Sequence, residues 1–165
     1  MDNLDALSAP NDNCREQEDA SMAVNPIPDG FHTVTPYMVV ADVDEFLDFL
    51  KAAFGATETE SVPGQDGKTG HAEARIGDSY VMMGRAQDQF TALPCMLYLY
   101  VPDTDATYAQ ALAAGAKSRQ EPADMFYGDR NAIVQDPDGN IWCIATHQED
   151  LTPEELAERA KESMR

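Results

Sequence analysis

Basic residues and long apolar runs are scarce in this sequence, and each shortage excludes a class of protein. Only 11 Lys and Arg stand against 30 Asp and Glu, so the formal net charge is −19. A surface of that sign repels the phosphate backbone of nucleic acids. No apolar run reaches the roughly 18 residues that a membrane helix needs, and none follows a basic start as in a secretory signal. We therefore expect an acidic, cytoplasmic protein without a nucleic-acid or membrane partner.

Cysteine is also rare, and the motifs of several common enzyme classes are missing. Cys14, Cys95 and Cys143 are odd in number and lack C-x-x-C spacing, which argues against a disulfide scaffold and indicates free thiols in a reducing compartment. The sequence holds no G-x-S-x-G, Walker loop, Rossmann glycine fingerprint or H-E-x-x-H. It therefore gives no sign of the chemistries that depend on those motifs.

The two ends of the chain differ from the region between them. Residues 1–25 are rich in Asp, Glu, Asn and Ser and carry no periodic apolar pattern, so they cannot offset the entropy of ordering themselves. We predict that they form a disordered acidic leader. At the other end, Thr152-Pro153-Glu154-Glu155 combines a capping residue, proline at the first helical position and glutamate at the third. Residues 149–165 are therefore predicted to form a C-terminal helix.

Residues 26–90 are predicted to contain a strand, a helix and three further strands. Phe31 to Val40 forms a strand-like run, and Pro36 within it fits an edge strand or a bulge. Apolar residues then recur at helical spacing from Val43 to Phe54, between a capping aspartate and Gly55. Turn residues divide the rest of this region into three strands.

Residues 91–148 repeat the same order of elements, with a strand that ends at Val101, a helix cap at Asp103 and a helical stretch from Tyr108 to Ala114. Val40 and Val101 are 61 positions apart, while Gly55 and Gly115 are 60 apart. One nearly constant offset across several elements indicates an internal duplication. The sequence thus predicts an α+β fold of two tandem βαβββ modules, covering 26–90 and 91–148, followed by the C-terminal helix.

Specific stretches of sequence point to a known family. They are Thr33-Val34-Thr35-Pro36-Tyr37-Met38-Val39-Val40 with Asp42, Phe54-Gly55-Ala56, His71-Ala72-Glu73, Ile76-Gly77-Asp78-Ser79, Tyr127-Gly128-Asp129-Arg130 and Asp136-Pro137-Asp138-Gly139. In this order they resemble the PhnB-like branch of the vicinal-oxygen-chelate superfamily, which includes glyoxalase I, extradiol dioxygenases and bleomycin-binding proteins. The resemblance covers about residues 27–150. It implies that the modules form a curved mixed sheet with a concave cleft, that the cleft takes a small-molecule ligand, and that the protein is a homodimer.

The resemblance also indicates where a metal would be held. In the metal-dependent members each module contributes one ligand from its first strand and one from its last, and the matching positions here are Thr35, Met83, Met96 and Cys143. Divalent ions such as Mg²⁺, Mn²⁺, Ni²⁺ and Zn²⁺ prefer carboxylate oxygen or imidazole nitrogen. We therefore predict no metal and no cofactor in the cleft. Sulfur ligands would suit Cu(I), but packing is the more common role of methionine at such positions.

Strand alternation, applied to the family's cleft, selects the candidate ligand-binding residues. His71, Glu73 and Arg75 are predicted to face the cleft, while Ala72, Ala74 and Ile76 face a helix. We expect Arg75 to belong to a structural network rather than to bind a ligand. Trp142 is predicted to lie in the core. The predicted ligand-binding residues are Tyr37, His71, Met83, Met96, Tyr98, Tyr127, Asp129, Arg130 and Cys143.

The sequence leaves three functions open. The first is a small-molecule-binding protein of the PhnB-like or bleomycin-resistance-like type, which binds without catalysis. The second is a lyase or isomerase with His71 as general base and Arg130 or Tyr37 polarising a carbonyl, or with a displaced metal site of His71, Glu73, Cys143 and His147. In the alternative to both, His71 and Glu73 belong to a structural network. Tyr127 to Arg130 are interpreted either as a lid or an anionic-substrate clamp with an Asp129–Arg130 ion pair, or as an ordinary glycine turn with a surface ion pair. A supporting role for a partner protein is a third function.

Overall fold

The computed structural model describes residues 24–163, which form two four-stranded mixed sheets and three helices. The predicted leader lies outside the described residues except for Val24 and Asn25, and Cys14 lies outside them as well. No helix in the described part is long and apolar enough to cross a membrane. The elements are β1 (Tyr37–Val40), α1 (Val43–Phe54), β2 (Thr57–Pro63), β3 (Thr69–Ile76), β4 (Ser79–Arg85), β5 (Met96–Tyr100), α2 (Thr104–Ala113), β6 (Lys117–Asp124), β7 (Asp129–Gln135), β8 (Ile141–His147) and α3 (Pro153–Ser163).

The same strand order occurs in both sheets. The first sheet has the order β1-β4-β3-β2 and the second β5-β8-β7-β6. In each, the strand before the helix pairs in parallel with the last strand of the module, and the remaining pairs are antiparallel. The prediction of tandem βαβββ modules in an α+β fold is therefore confirmed. β1 lies at a sheet edge, as Pro36 immediately before it indicated.

Helix α1 begins and ends where the sequence predicts. The Asp42 carboxylate accepts the backbone N–H groups of Asp44 at 3.0 Å and Glu45 at 3.2 Å. These bonds satisfy two donors that have no partner within the helix. At the other end Gly55 has a φ of 65°, a left-handed conformation that glycine adopts without steric cost. The cap and the stop together fix the length of α1.

Two other boundaries differ from the prediction. The first strand starts only at Tyr37, because the chain before it turns: the Phe31 N–H bonds to the Pro28 carbonyl at 3.0 Å, and the Phe31 ring stacks on Tyr80 with centroids 4.3 Å apart. Helix α2 starts at Thr104, directly after the predicted cap Asp103, and so includes a turn before the helical stretch that was predicted from Tyr108. Its first turn is polar, so hydrophobic periodicity did not reveal it.

The core lies between the helices and one face of each sheet. α1 packs on β3 and β4, α2 packs on β6, β7 and β8, and the two helices contact each other. Trp142 of β8 is 1% exposed, which confirms its predicted core position, and its ring lies 4.6 Å from that of Phe54 at the end of α1. This contact joins the two modules in one core.

Helix α3 starts with the predicted capping pair. The Glu155 N–H donates to the Thr152 hydroxyl at 3.3 Å, and the Glu155 carboxylate accepts the Thr152 N–H at 2.9 Å. This reciprocal arrangement satisfies donors at the helix start. No residue of α3 is buried, so the helix lies on the surface of its own chain.

Candidate functional site

Each sheet packs one face against the helices and leaves the other face open. The open face of the first sheet, here the module-one face, presents the side chains of Tyr37, Val39, His71, Glu73, Arg75 and Met82 together with Gly84. The open face of the second sheet, here the module-two face, presents Met96, Tyr98, Tyr100, Asp129, Asn131, Ile133, Cys143, Ala145 and His147. Tyr37, Met96 and Tyr100 are each more than half exposed. Residues 24–163 of one chain do not fully cover either face.

A tyrosine, a histidine and a glutamate meet on the module-one face. The Tyr37 hydroxyl lies 3.3 Å from His71 Nδ1, and Glu73 Oε1 lies 3.8 Å from His71 Nε2. The Tyr37 ring reaches this position by lying over Gly84, where a Cβ would collide with the tyrosine hydroxyl. Both nitrogens of His71 therefore face protein groups. This arrangement favours a structural network over a histidine whose nitrogen is free to take a proton from a substrate.

Met83 does not lie on the module-one face, contrary to the prediction. It pairs with Ala72 on the helix side of the sheet and has no exposed surface, while Met82 pairs with Glu73 on the open side. The offset between the modules is 60 in β3 and β7 but 61 in β4 and β8. The reason is that the chain between the paired residues Gln135 and Ile141 is one residue longer than the chain between their counterparts Arg75 and Tyr80. One residue moves a strand side chain to the opposite face. Met82 is therefore the counterpart of Cys143.

The module-two face is organised around a buried carboxylate. Asp129 is 5% exposed, and its Oδ2 accepts the hydroxyls of Tyr98 at 3.0 Å and Tyr100 at 3.2 Å. Its Oδ1 lies 2.8 Å from His147 Nδ1, and Asn131 Nδ2 lies 3.4 Å from the Tyr98 hydroxyl. One carboxylate on β7 thus orients two aromatic rings on β5 and an imidazole on β8, the strand between β5 and β7.

This environment sets the protonation of the groups around Asp129. Burial, Tyr127 and Asp129 together raise the pKa of Tyr98 far above its usual value, and burial and Asp129 raise the pKa of Tyr100. Both phenols therefore keep their protons. Asp129 and Asp150 raise the pKa of His147, whose Nε2 lies 3.0 Å from Asp150 Oδ1. An imidazolium is the form that donates to both carboxylates.

The predicted Asp129–Arg130 clamp is not formed. Arg130 pairs bidentately with Asp105 of α2 and bonds to Asp124 at 2.9 Å. Neighbouring residues of a strand point to opposite faces, so Asp129 faces the open side and Arg130 faces α2. The interpretation of Arg130 as an anion clamp or carbonyl-polarising group is therefore corrected. Tyr127 lies in the turn before β7, close enough to Tyr98 to influence its hydroxyl.

The residues at the family's metal positions do not fit a divalent ion. After the correction of Met83 they are Thr35, Met82, Met96 and Cys143, and Thr35 lies before β1 with its hydroxyl bonded to the His32 carbonyl at 3.0 Å. Thioethers and this hydroxyl are poor ligands for Mg²⁺, Mn²⁺, Ni²⁺ or Zn²⁺. Zn²⁺ does bind cysteine as a thiolate, but Cys143 would be the one such ligand in the set, and burial raises the pKa of its thiol. The chemistry of this donor set therefore disagrees with the site of the metal-dependent members.

The displaced metal site considered from the sequence is not assembled within one chain. His71 and Glu73 lie on the first sheet, whereas Cys143 and His147 lie on the second. Across residues 24–163, no three His, Cys, Asp or Glu side chains gather in a way that could hold a metal ion. Cys143 is buried and unpaired, and burial raises the pKa of its thiol. The thiol is consequently a packing group in this setting.

A cavity of about 610 Å³ lies between the modules beside the module-two face. Tyr98 and Tyr100 belong to its wall, and because β5 is an edge strand the cavity continues around it to Leu97 and Leu99. Trp142 lines it from the second sheet. Its volume falls within the range of about 300–1,000 Å³ that is typical of small-molecule sites. The aromatic residues of β5 thus border both the open face and a partly open cavity.

Sequence reasoning missed part of this site. Tyr100 and Asn131 were absent from the predicted ligand-binding residues, although both share strand parity with residues that were included. His147 was considered only as a metal ligand. Its contact with Asp129 joins the first residue of β7 to the last of β8. The alternation of side chains along these two strands already indicated that both residues lie on the same face.

Comparisons with known proteins agree with this architecture. Residues 30–144 match the family described as the Glyoxalase/Bleomycin resistance protein/Dioxygenase superfamily. The uncharacterized protein Rv0887c of Mycobacterium tuberculosis is 34% identical over 152 residues, which is 86% of this chain and 87% of the relative.

Two solved structures are also similar. TioX from Micromonospora sp. ML1 is 26% identical, with a TM-score of 0.59 over 69% of this chain and 98% of TioX. A glyoxalase/bleomycin resistance protein/dioxygenase from Nocardioides is 20% identical, with a TM-score of 0.56 over 81% of this chain and 92% of that chain. At that identity the Nocardioides likeness concerns the fold alone.

Proposed function

Because the chain belongs to the Glyoxalase/Bleomycin resistance protein/Dioxygenase superfamily, we propose that it binds a small organic molecule without the divalent metal of the catalytic members. The site is the module-two face together with the adjoining cavity. The observation that carries the proposal is the pair of half-exposed tyrosines, Tyr98 and Tyr100, held by the buried Asp129 at the edge of a 610 Å³ cavity. Mostly apolar space with a few convergent polar groups is the usual form of a small-molecule site.

The contacts of His71 weigh against the lyase or isomerase alternative. Such a reaction needs a nitrogen able to exchange a proton with the substrate, whereas Tyr37 and Glu73 face the two nitrogens of His71. Arg130, the other proposed participant, faces α2 instead. A binding protein of the PhnB-like or bleomycin-resistance-like type requires neither a free nitrogen on His71 nor an Arg130 that faces the ligand.

A second copy of the chain is proposed to complete the cleft. Tyr37 on the module-one face and Met96, Tyr98 and Tyr100 on the module-two face are 46–64% exposed, and a sheet face with that much exposed apolar and aromatic surface is typical of an interface or a ligand site. A homodimer that brings a module-one face opposite a module-two face would cover both and enclose the ligand.

The central test of this function is Tyr98→Ala. The substitution removes the ring and one donor to Asp129, so we expect at least a tenfold loss of affinity for any hit from a small-molecule library of mixed charge. Because Tyr98 is 46% exposed, the melting temperature should fall only slightly. Isothermal titration calorimetry on the full chain measures the affinity.

Tyr108→Ala serves as the matched control. Tyr108 also bonds through its hydroxyl, to Ser118 at 2.8 Å, but lies on α2 away from both open faces. Its removal should leave the affinity unchanged. Equal affinities of Tyr98→Ala and the unsubstituted protein would exclude the module-two face as the binding site.

A further inference from the structure

The hydrogen-bond directions on the module-two face restrict the chemistry of a ligand. A phenol has one O–H donor, and both Tyr98 and Tyr100 direct that donor to Asp129 Oδ2. Asn131 also donates to the Tyr98 hydroxyl. The two hydroxyls therefore have only lone pairs left for a ligand. A group that bonds to them must be a hydrogen-bond donor.

The charges at this site favour a positive ligand. Asp129 and Asp150 are carboxylates on either side of His147, so the three groups keep one net negative charge when His147 is protonated. The arginines nearest along the chain are occupied elsewhere, Arg130 by Asp105 and Asp124 and Arg159 by Glu149. An anion would meet lone pairs and a negative field, whereas a cation would meet both favourably.

The tyrosine rings also favour a positively charged ligand. Tyr98 and Tyr100 are 46% and 64% exposed, and their centroids are 5.1 Å apart at an interplanar angle of 51°. Two tilted ring faces attract a cation through their quadrupoles. Around the edge of β5, on the helix side of the sheet, Leu97, Leu99 and Trp142 line the cavity and offer apolar space for the rest of the molecule.

From these features we infer that the ligand of the module-two face is an organic ammonium cation with an apolar or aromatic body. Its charged nitrogen donates to the hydroxyls of Tyr98 and Tyr100 over the buried Asp129, and its body occupies the cavity between the modules. This inference rests on the proposed function, because it names the ligand class of the same site.

The test uses three probes of similar shape and different charge on the full chain: 2-phenylethylammonium, 2-phenylethanol and phenylacetate. Dissociation constants are measured at low ionic strength by two-dimensional NMR, from shifts of residues on β5 and β7. We expect the ammonium probe to bind at least about tenfold more tightly than the alcohol, the scale of one charge-assisted contact. Phenylacetate should bind more weakly than both.

Two variants assign the preference to these residues. Asp129→Asn keeps the shape and removes the charge, and it should reduce the preference for ammonium over alcohol to less than about threefold. If Asp129→Asn does not fold, the Tyr98→Phe/Tyr100→Phe double variant replaces it, because it keeps the rings and removes both acceptors. Tyr108→Phe, which deletes a hydroxyl on α2, should leave the preference intact.

The outcomes separate the inference from the proposed function. Binding of the alcohol or phenylacetate to β5 and β7 as tightly as the ammonium would overturn the cationic ligand but leave a binding site. An ammonium preference that persists in Asp129→Asn, or in the double tyrosine variant where that replaces it, would also overturn the inference. No shift with any of the three probes would count against the inference and the proposed function together.

Discussion

Replacement of Asp136 by alanine is expected to lower the free energy of unfolding by about 3 kcal/mol or more. The Asp136 carboxylate is 3% exposed and accepts three N–H groups, from the Asn140 backbone and side chain at 2.8 Å each and from Trp142 Nε1 at 2.9 Å. Alanine leaves these buried donors without a partner, and each such loss costs about 1–3 kcal/mol. Denaturant unfolding followed by circular dichroism measures the difference.

The equivalent turn of the first module provides the control. Asp78 in the turn between β3 and β4 is exposed, and within residues 24–163 its carboxylate accepts only the neighbouring Ser79 hydroxyl, at 2.9 Å. Asp78→Ala should change the free energy of unfolding by no more than about 0.5 kcal/mol. Similar losses in the two variants would contradict the role given to the Asp136 hydrogen bonds.

Trp142→Ala is expected to cost about 3–5 kcal/mol of stability, the usual range for removing a large buried aromatic side chain. Trp142 is 1% exposed and contacts Phe54 of the first module across the shared core. The cavity left behind would therefore weaken the junction of both modules. The measurement is denaturant unfolding monitored by circular dichroism, in which the midpoint should fall for the molecule as a whole.

Phe90→Ala is the matched aromatic control for Trp142. Phe90 lies between the modules and is 67% exposed, so its truncation removes little packing and should cost less than about 0.5 kcal/mol. If Trp142→Ala left part of the chain unfolding at the original midpoint, the modules would not share one core. That result would contradict the packing described here.

Local chemistry made much of the fold predictable. The capping aspartate before α1, the glycine after it and the Thr152–Glu155 pair before α3 act within a few residues of the chain, and the structure has all three. The duplication was visible because its offset survives in several elements. Such signals require no knowledge of distant contacts, which is why the element order and the tandem modules could be predicted.

The candidate site was less accessible because it depends on register and on distant partners. One extra residue in the turn before β8 moved the module-one counterpart of Cys143 from Met83 to Met82, and an alignment by constant offset cannot see that change. The direction of Arg130 towards α2 follows from strand alternation. Its pairing with Asp105, however, joins residues 25 positions apart, and no local sequence pattern indicates such a partner.

The same limit applies to the centre of the module-two face. Asp129 meets Tyr98 and Tyr100 across 31 and 29 positions of sequence, through strands that are not adjacent in the sheet, because β8 lies between β5 and β7. The sequence predicted that Tyr98 and Asp129 would take part in binding. That Asp129 accepts hydrogen bonds from the hydroxyls of both tyrosines became apparent only from the geometry.

Metal content is the direct test of a ligand cleft that has no divalent metal site. The full chain is purified without chelator, analysed for bound metals, and melted in the presence of Mg²⁺, Mn²⁺, Ni²⁺ and Zn²⁺. A metal that binds the native state must raise the melting temperature. We expect less than about 0.1 metal ion per chain and no rise, since Thr35, Met82, Met96 and Cys143 offer no suitable ligand set. One metal ion per chain together with a clear rise would contradict this expectation.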